Sequence, residues 1–204
     1  MEALKQPPIE WSAASRPMGG EALSGDRHLV KTLPGSVLVV IVDGIGHGDE
    51  AARAAEIAIE TVDRHAGEGP VRLLQICHER LRGTRGVVMS LALIDLAART
   101  MTWTGVGNVE GLLLRDGPGG KGVRERLVQR PGVVGSRLPT LYKRTVPILP
   151  GDLLVFATDG VEMGFEQAID GRDLPRQVAE RVLERHGKRS DDAMVFVARL
   201  RGSS

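Results

Sequence analysis

The chain reads as an α+β sandwich of two stacked antiparallel sheets with helices on the outer faces. Three observations predict this class. The apolar segments are short, numerous and rich in valine, as strands are. Segments 87–94 and 100–104 lie too close in sequence for a crossover helix, so they pair antiparallel. Strands come in a run, and only three stretches between them carry a helical period.

Each element follows from its own pattern. Ser36–Val42 (SVLVVIV) is almost continuously apolar and rich in valine, so it reads as a buried strand. Residues 50–65 place apolar side chains at 51, 55, 58, 59 and 62, one face of a helix. A second helix, Val71–Leu81, puts Val71, Leu74, Cys77 and Leu81 on one stripe. Val87–Ile94 is a further buried strand, and Thr100–Thr104 (TMTWT) alternates as a half-buried strand does. Val109–Leu114, Thr145–Leu149 and Leu153–Ala157 continue the strand run. A third helix, Asp173–His186, carries Leu174, Val178 and Val182, and Ala193–Leu200 is the last strand. Gly67 and Gly187 stand as stop signals after the first and third helices. Gly117–Gly122 (GPGGKG) reads as a surface loop and Asp116-Gly117 as a turn.

Composition bounds the rest. A chain of 204 residues with 42% hydrophobic and 26% charged residues is one folded domain, 1–204, and a monomer is expected. Aromatics are only 3%, so Val, Leu, Ile, Ala and Met must build the core. A net charge of +1 leaves no basic footprint for nucleic acid. No run of about 18 apolar residues is present to cross a membrane. The start, MEALKQPPIEW, lacks an apolar signal core, and the single cysteine, Cys77, forms no internal disulfide. A cytoplasmic setting is expected.

The segment VVIVDGIGHGD is the most informative. A buried strand runs into Asp43, and glycines follow at 44, 46 and 48 before a helix begins. An acid at the end of a buried strand is held rigidly, and glycine beside it admits a cation close to the backbone. Leu153–Gly160 (LLVFATDG) repeats the device at Asp159. Asp26, in Ser24-Gly25-Asp26, lies 17 residues before Asp43, and Asp191-Asp192 precede the last strand. Acids at strand ends can converge on one rim of a sandwich, where they repel one another unless cations separate them. Oxygen donors without a His/Cys cluster favour Mg²⁺ or Mn²⁺ over Zn²⁺. A lone Asp-Gly is ordinarily a turn; the long β-rich run into Asp43 and Asp159 is what distinguishes these two.

Other readings carry less. GIGHGD is not GxGxxG, and no GxxxxGK[ST] is present. His47 could meet a phosphate or simply precede the helix. His28, His65, His78 and His186 read as surface residues, and Cys77 as a core thiol. Ser24 and Ser90 lack a nucleophile-elbow context. Arg124, Arg126 and Arg130 form a basic cluster, a solvated face or an element that steers a phosphoprotein.

The order SGD, VxDGxGHG, TDG and then DD before a terminal strand resembles the metal-dependent protein phosphatase (PPM) superfamily, in its SpoIIE/RsbU/RsbX branch. Trp103–Val109 and Gly132–Gly135 resemble further segments of that branch. With this length and no sensor domain, the likeness is greatest to the branch's stressosome phosphatases. The resemblance spans roughly residues 20–200. It implies an αββα sandwich and two Mn²⁺ or Mg²⁺ ions. Asp43 would bridge both ions, the Gly44 carbonyl and Asp26 would hold one, and Asp159 and Asp191 the other, with Asp43 and Asp159 as the catalytic centre. Asp192 is a candidate for a third ion. The expected activity is hydrolysis of phosphoserine or phosphothreonine by a water activated between the ions. The expected partners are phosphorylated STAS-domain stressosome proteins. The chain departs from the superfamily at Ile45, where histidine is usual, so no acid role passes to His47. It has Met194 where threonine is common and SGD in place of GGD. A non-catalytic phosphoprotein-binding scaffold and a small-molecule phosphatase or phosphodiesterase are the rivals.

Overall fold

The computed structural model describes residues 7–115 and 123–202. The glycine loop 117–122 and the Asp116-Gly117 turn lie outside them. Among the described residues, ten strands and three α-helices follow in order. They are β1 (Ile9–Arg16), β2 (Asp26–Leu33), β3 (Ser36–Gly44), α1 (Gly48–Arg64), α2 (Pro70–Arg80), β4 (Val87–Asp95), β5 (Thr100–Val106) and β6 (Glu110–Arg115). Then come β7 (Val123–Leu127), β8 (Arg144–Pro147), β9 (Leu153–Ala157), α3 (Pro175–His186) and β10 (Ala193–Leu200). One sheet runs β1-β10-β9-β6-β7 and the other β2-β3-β4-β5-β8, every pairing antiparallel.

The period-2 geometry of a strand decides the layering. Along β3, Val37, Val39 and Ile41 enter the core between the sheets, beside Trp103, Leu154, Phe156 and Phe196. Leu38, Val40 and Val42 face the other way, onto Ala54, Ala55, Ala58 and Val62 of α1 and Leu73, Leu74 and Cys77 of α2. On the second sheet Val155, Val195 and Val197 point outward onto Val178, Ala179 and Val182 of α3. The result is an αββα sandwich. A strand packed on both faces cannot alternate polar and apolar, which is why β3 reads as a continuous apolar run.

Several details differ from the sequence reading. Strands β1, β2 and β7 carry no long apolar run, because each lies at a sheet edge with much of its surface in solvent. Leu174 is not on the buried stripe of α3. It precedes the helix, 55% exposed, where its backbone N–H is capped by Gln177. Gly67 lies within a 3-10 turn, Ala66–Glu68, and Gly187 has a φ of −72°, so neither is a left-handed stop. The third helix begins at Pro175, which suits the first helical position because its missing N–H is not needed there. His28 is not a surface histidine. It packs between the sheets against Trp11 and Phe196, and burial lowers its pKa. His78 accepts a hydrogen bond from the Gly135 N–H at 3.0 Å.

Candidate metal centre

Asp26 opens β2 and Asp43 lies one residue from the end of β3, and the two are directly opposed in the pairing register. The inward parity of Val37, Val39 and Ile41 extends to Asp43, and that of His28 and Val30 to Asp26. Both carboxylates therefore stand on the inner face, where the sheets part. On the facing sheet, Phe156 sets the inward parity of β9, so Thr158 points in and Asp159 follows at the rim. Asp191 and Asp192 sit just before β10, which pairs with β9.

These side chains line or underlie one cleft of about 260 Å³, bounded by Met18, Asp43, Gly46, His47, Asn108, Asp159, Ser190 and Asp191 among others. A larger hollow of about 560 Å³ beside α2, with Arg72, His78 and Leu138, has Glu79 as its one carboxylate among the described residues. Size alone therefore does not locate the chemistry.

The electrostatics of the cleft are unfavourable to its own charges. Burial, then Asp26, Asp159, Asp191 and Asp192, push the Asp43 pKa up to about 9. Asp26 rises to about 7, mainly by burial and against a hydrogen bond from Thr158 Oγ1 at 2.9 Å. Asp191 is also raised, by burial and by Asp159. Like charges directly opposed in a sheet destabilise it. Asp26 is 3% exposed, and its Oδ1 is buried with no hydrogen-bond partner among the described residues. A buried carboxylate oxygen in that condition calls for a cation or a proton.

Neighbours hold the remaining acids in place. Asn108 Nδ2 donates to Asp159 Oδ2 at 2.8 Å, and Lys188 Nζ donates to the Asp159 carbonyl at 2.6 Å. Asp192 accepts from the Met18 and Gly25 N–H groups, both at 2.7 Å, one at each oxygen. It therefore latches loop 17–25 onto the start of β10, and both of its oxygens are engaged. His47 Nδ1 lies 3.2 Å from Glu21 Oε1 at the mouth. The glycines of the two Asp-Gly pairs are required by contact rather than by turn geometry. A Cβ on Gly44 would stand 2.2 Å from the Ala51 carbonyl oxygen of α1, and one on Gly160 1.8 Å from that of Asp192.

Among the described residues, no three His, Cys, Asp or Glu side chains close into a ready ligand shell. Asp26, Asp43, Asp159 and Asp191 share one electrostatic field but remain an open set of oxygen donors. That arrangement fits Mg²⁺ or Mn²⁺, hard ions that keep several waters and use few protein carboxylates, better than a protein-enclosed ion. The orphaned Asp26 oxygen and the raised pKa of Asp43 fit the same ions. Asn108, Thr158 and Lys188 were not singled out from the sequence. The place of Asn108 within the Trp103–Val109 turn and the strand parity of β9 are the signals that point to the first two; nothing local marks Lys188.

The family model for Stage II sporulation protein E (SpoIIE) matches residues 34–201. Phosphoserine phosphatase RsbX of Bacillus subtilis (strain 168) is 24% identical over 145 residues, 71% of this chain and 70% of RsbX. A chain solved under the heading "The bacterial stressosome: a modular system that has been adapted to control secondary messenger signaling" is 34% identical, with a TM-score of 0.84 over 94% of this chain and 99% of that one. The crystal structure of RsbX in complex with magnesium superposes with a TM-score of 0.83 at 19% identity, over 94% of this chain and 95% of RsbX.

Proposed function

The chain belongs to the SpoIIE family of metal-dependent protein phosphatases, and on that premise we propose that it hydrolyses phosphoserine or phosphothreonine on a partner protein, using two divalent cations held among Asp26, Asp43, Gly44, Asp159 and Asp191. The observation that carries this reading is the opposed, buried Asp26–Asp43 pair, with one Asp26 oxygen unpartnered among the described residues and both pKa values raised.

Mg²⁺ or Mn²⁺, when bound, supplies an activated water and neutralises developing charge on the phosphoryl oxygens. The chain's own residues do the positioning. Thr158 orients Asp26, while Asn108 and Lys188 hold Asp159 from its two ends. Asp192 holds the loop that carries Met18 and Glu21 against the cleft. A covalent route through the obvious nucleophiles is disfavoured. Cys77 faces α1, and burial pushes its thiol up to about 12. Ser90 is fully buried, with Oγ engaged by Gln129 and 3.4 Å from the Val109 carbonyl.

The likeness to RsbX, a phosphoserine phosphatase also solved with magnesium, supports the substrate chemistry. The 34%-identical chain, solved in a study of the bacterial stressosome, supports a stressosome protein as the partner; that this partner is a phosphorylated STAS-domain protein is part of the proposal. The enzyme is proposed to act as a monomer in the cytoplasm; among the described residues no helix is long and apolar enough to cross a membrane.

The test is turnover of p-nitrophenyl phosphate and of phosphoserine peptides, with Mn²⁺ and with EDTA, beside Asp43→Asn. Manganese-dependent hydrolysis lost in the variant is expected. Folded protein inactive on every phosphopeptide and in every metal would move the reading to a phosphoprotein-binding scaffold. Preference for nucleotides or sugar phosphates would move it to a small-molecule enzyme.

A further inference from the structure

The near-zero net charge of the chain conceals a strong polarity. Residues 123–144 hold six basic side chains against one acid, Glu125, while the remainder of the chain is net negative. Within this segment the cations divide into two groups. Arg126 pairs with Glu110 and Glu166, Arg144 pairs with Glu125, and Arg124 donates to the Glu166 carbonyl. Arg130, Arg137 and Lys143 are exposed and pair with no carboxylate among the described residues. Paired charges neutralise each other locally; unpaired ones project a field.

The unpaired group sits beside the cleft. The Arg130 carbonyl accepts from the Gly107 N–H at 2.9 Å, next to Asn108 of the cleft wall. Val134 bridges Val87, which in turn pairs with Gly44. Arg137 closes a turn with Val133 through both backbone bonds. The Arg130 guanidinium lies 5.8 Å from the centre of the Tyr142 ring, and Lys143 follows it. Tyr142 is 56% exposed and Val128 73%. Exposed tyrosine and arginine with a small apolar neighbour are what recognition surfaces are made of.

The cleft supplies a reason for such a surface. Five carboxylates, Asp26, Asp43, Asp159, Asp191 and Asp192, act on one another there. Divalent cations among them do little more than cancel that charge. The attraction that draws in an anionic phosphoprotein must then come from the rim.

We propose that the exposed face of residues 128–143, with Arg130, Arg137 and Lys143 around Tyr142 and Val128, docks an acidic segment flanking the phosphorylated residue of the protein substrate. This deepens the phosphatase reading above and rests on it for the nature of the partner.

Two fluorescein-labelled phosphoserine peptides, one flanked by Asp and Glu and one by Ser and Gln, test it. Binding is read by fluorescence anisotropy on Asp43→Asn, which leaves the peptides intact, and kcat/KM is read on the wild type. The acidic peptide should bind about 10-fold more tightly at low ionic strength, an advantage that salt erodes. In Arg130→Glu/Arg137→Glu/Lys143→Glu the order of the two peptides should invert. Equal binding of both peptides by the unaltered surface, or a preference that survives charge reversal, overturns the proposal. If the triple variant does not melt as a folded protein, Arg130→Gln and Lys143→Gln decide singly, each expected to shrink the preference. Manganese-dependent turnover of p-nitrophenyl phosphate without an acidic preference would sink the docking surface alone. An acidic preference in a protein with no turnover would sink the hydrolytic reading alone.

Discussion

At Asp43, burial and four neighbouring carboxylates all act against ionisation, so its folded pKa stands near 9 against an ordinary 3.8. An acid with a raised folded pKa binds its proton more tightly folded than unfolded. Below pH 3.8 both states are protonated and nothing is lost. Stability then falls as pH rises through the folded values of about 7 for Asp26 and about 9 for Asp43. Thermal melts in EDTA should therefore show a midpoint that declines over this range, and Mn²⁺ should flatten the decline by replacing the proton. Asp43→Asn should melt higher than the wild type in EDTA at the alkaline end while losing activity. A pH-independent midpoint in EDTA would contradict the electrostatics described for the cleft. Asn108 acts one step further out, through its bond to Asp159. Asn108→Ala should raise the half-saturating Mn²⁺ by about 10-fold, as loss of a residue that orients a metal ligand does. A titration of activity against Mn²⁺ reads this, with the peptide KM little changed.

Loop 17–25 has no regular structure of its own. It is latched by one side chain at the head of β10, where Asp192 accepts two short backbone hydrogen bonds. Asp192→Ala should cost about 3 kcal/mol, the scale of two hydrogen bonds to a charged acceptor. Hydrogen exchange at Met18 and Gly25 should rise more than in β3. Just past β9, Gly160 packs on the carbonyl of Asp192, the residue before β10, with no room for a methyl group. Gly160→Ala should cost about 1–3 kcal/mol by overpacking, read as a lowered urea midpoint. Both losses should be accompanied by weaker Mn²⁺ binding, because the same backbone carries Asp159 and Asp191.

Across the whole molecule, the proposed ligands come from two sheets: Asp26 and Asp43 from one, Asp159 and Asp191 from the other. The sheets are joined by a core that includes Phe196, Phe156 and Trp103. Phe196→Ala should cost roughly 3–5 kcal/mol. It should also lower Mn²⁺ affinity, since the two halves of the site are then held less firmly. In the wild type, saturating Mn²⁺ should raise the melting temperature by mass action, and the rise should vanish in Asp43→Asn.

By itself the sequence determined the fold class, the central strands and the acids worth following. A strand buried on both faces must be apolar over most of its length: β9 is so throughout, and β3, β4 and β10 are interrupted only by Ser90 within β4 and by polar residues at or near their ends. An acid that breaks such a run, as Asp43 does, is visible without a structure, and the order of the acid-bearing segments carries the family resemblance. The tertiary structure alone decided the rest. The edge strands β1, β2 and β7 have no distinctive pattern, because half-exposed strands tolerate polar residues on either face. That Asp26 stands opposite Asp43 depends on strand register, which local composition does not encode. Composition does not separate Asp192 from Asp191, and the family resemblance alone preferred Asp191; in the fold Asp192 is engaged by backbone N–H groups and Asp191 lines the cleft. Arg130 and Arg126 likewise look alike in one dimension. Only the folded chain brings Glu110 and Glu166 to Arg126 and, among the described residues, leaves Arg130 without a carboxylate, because pairing is set by distance in space and not along the chain.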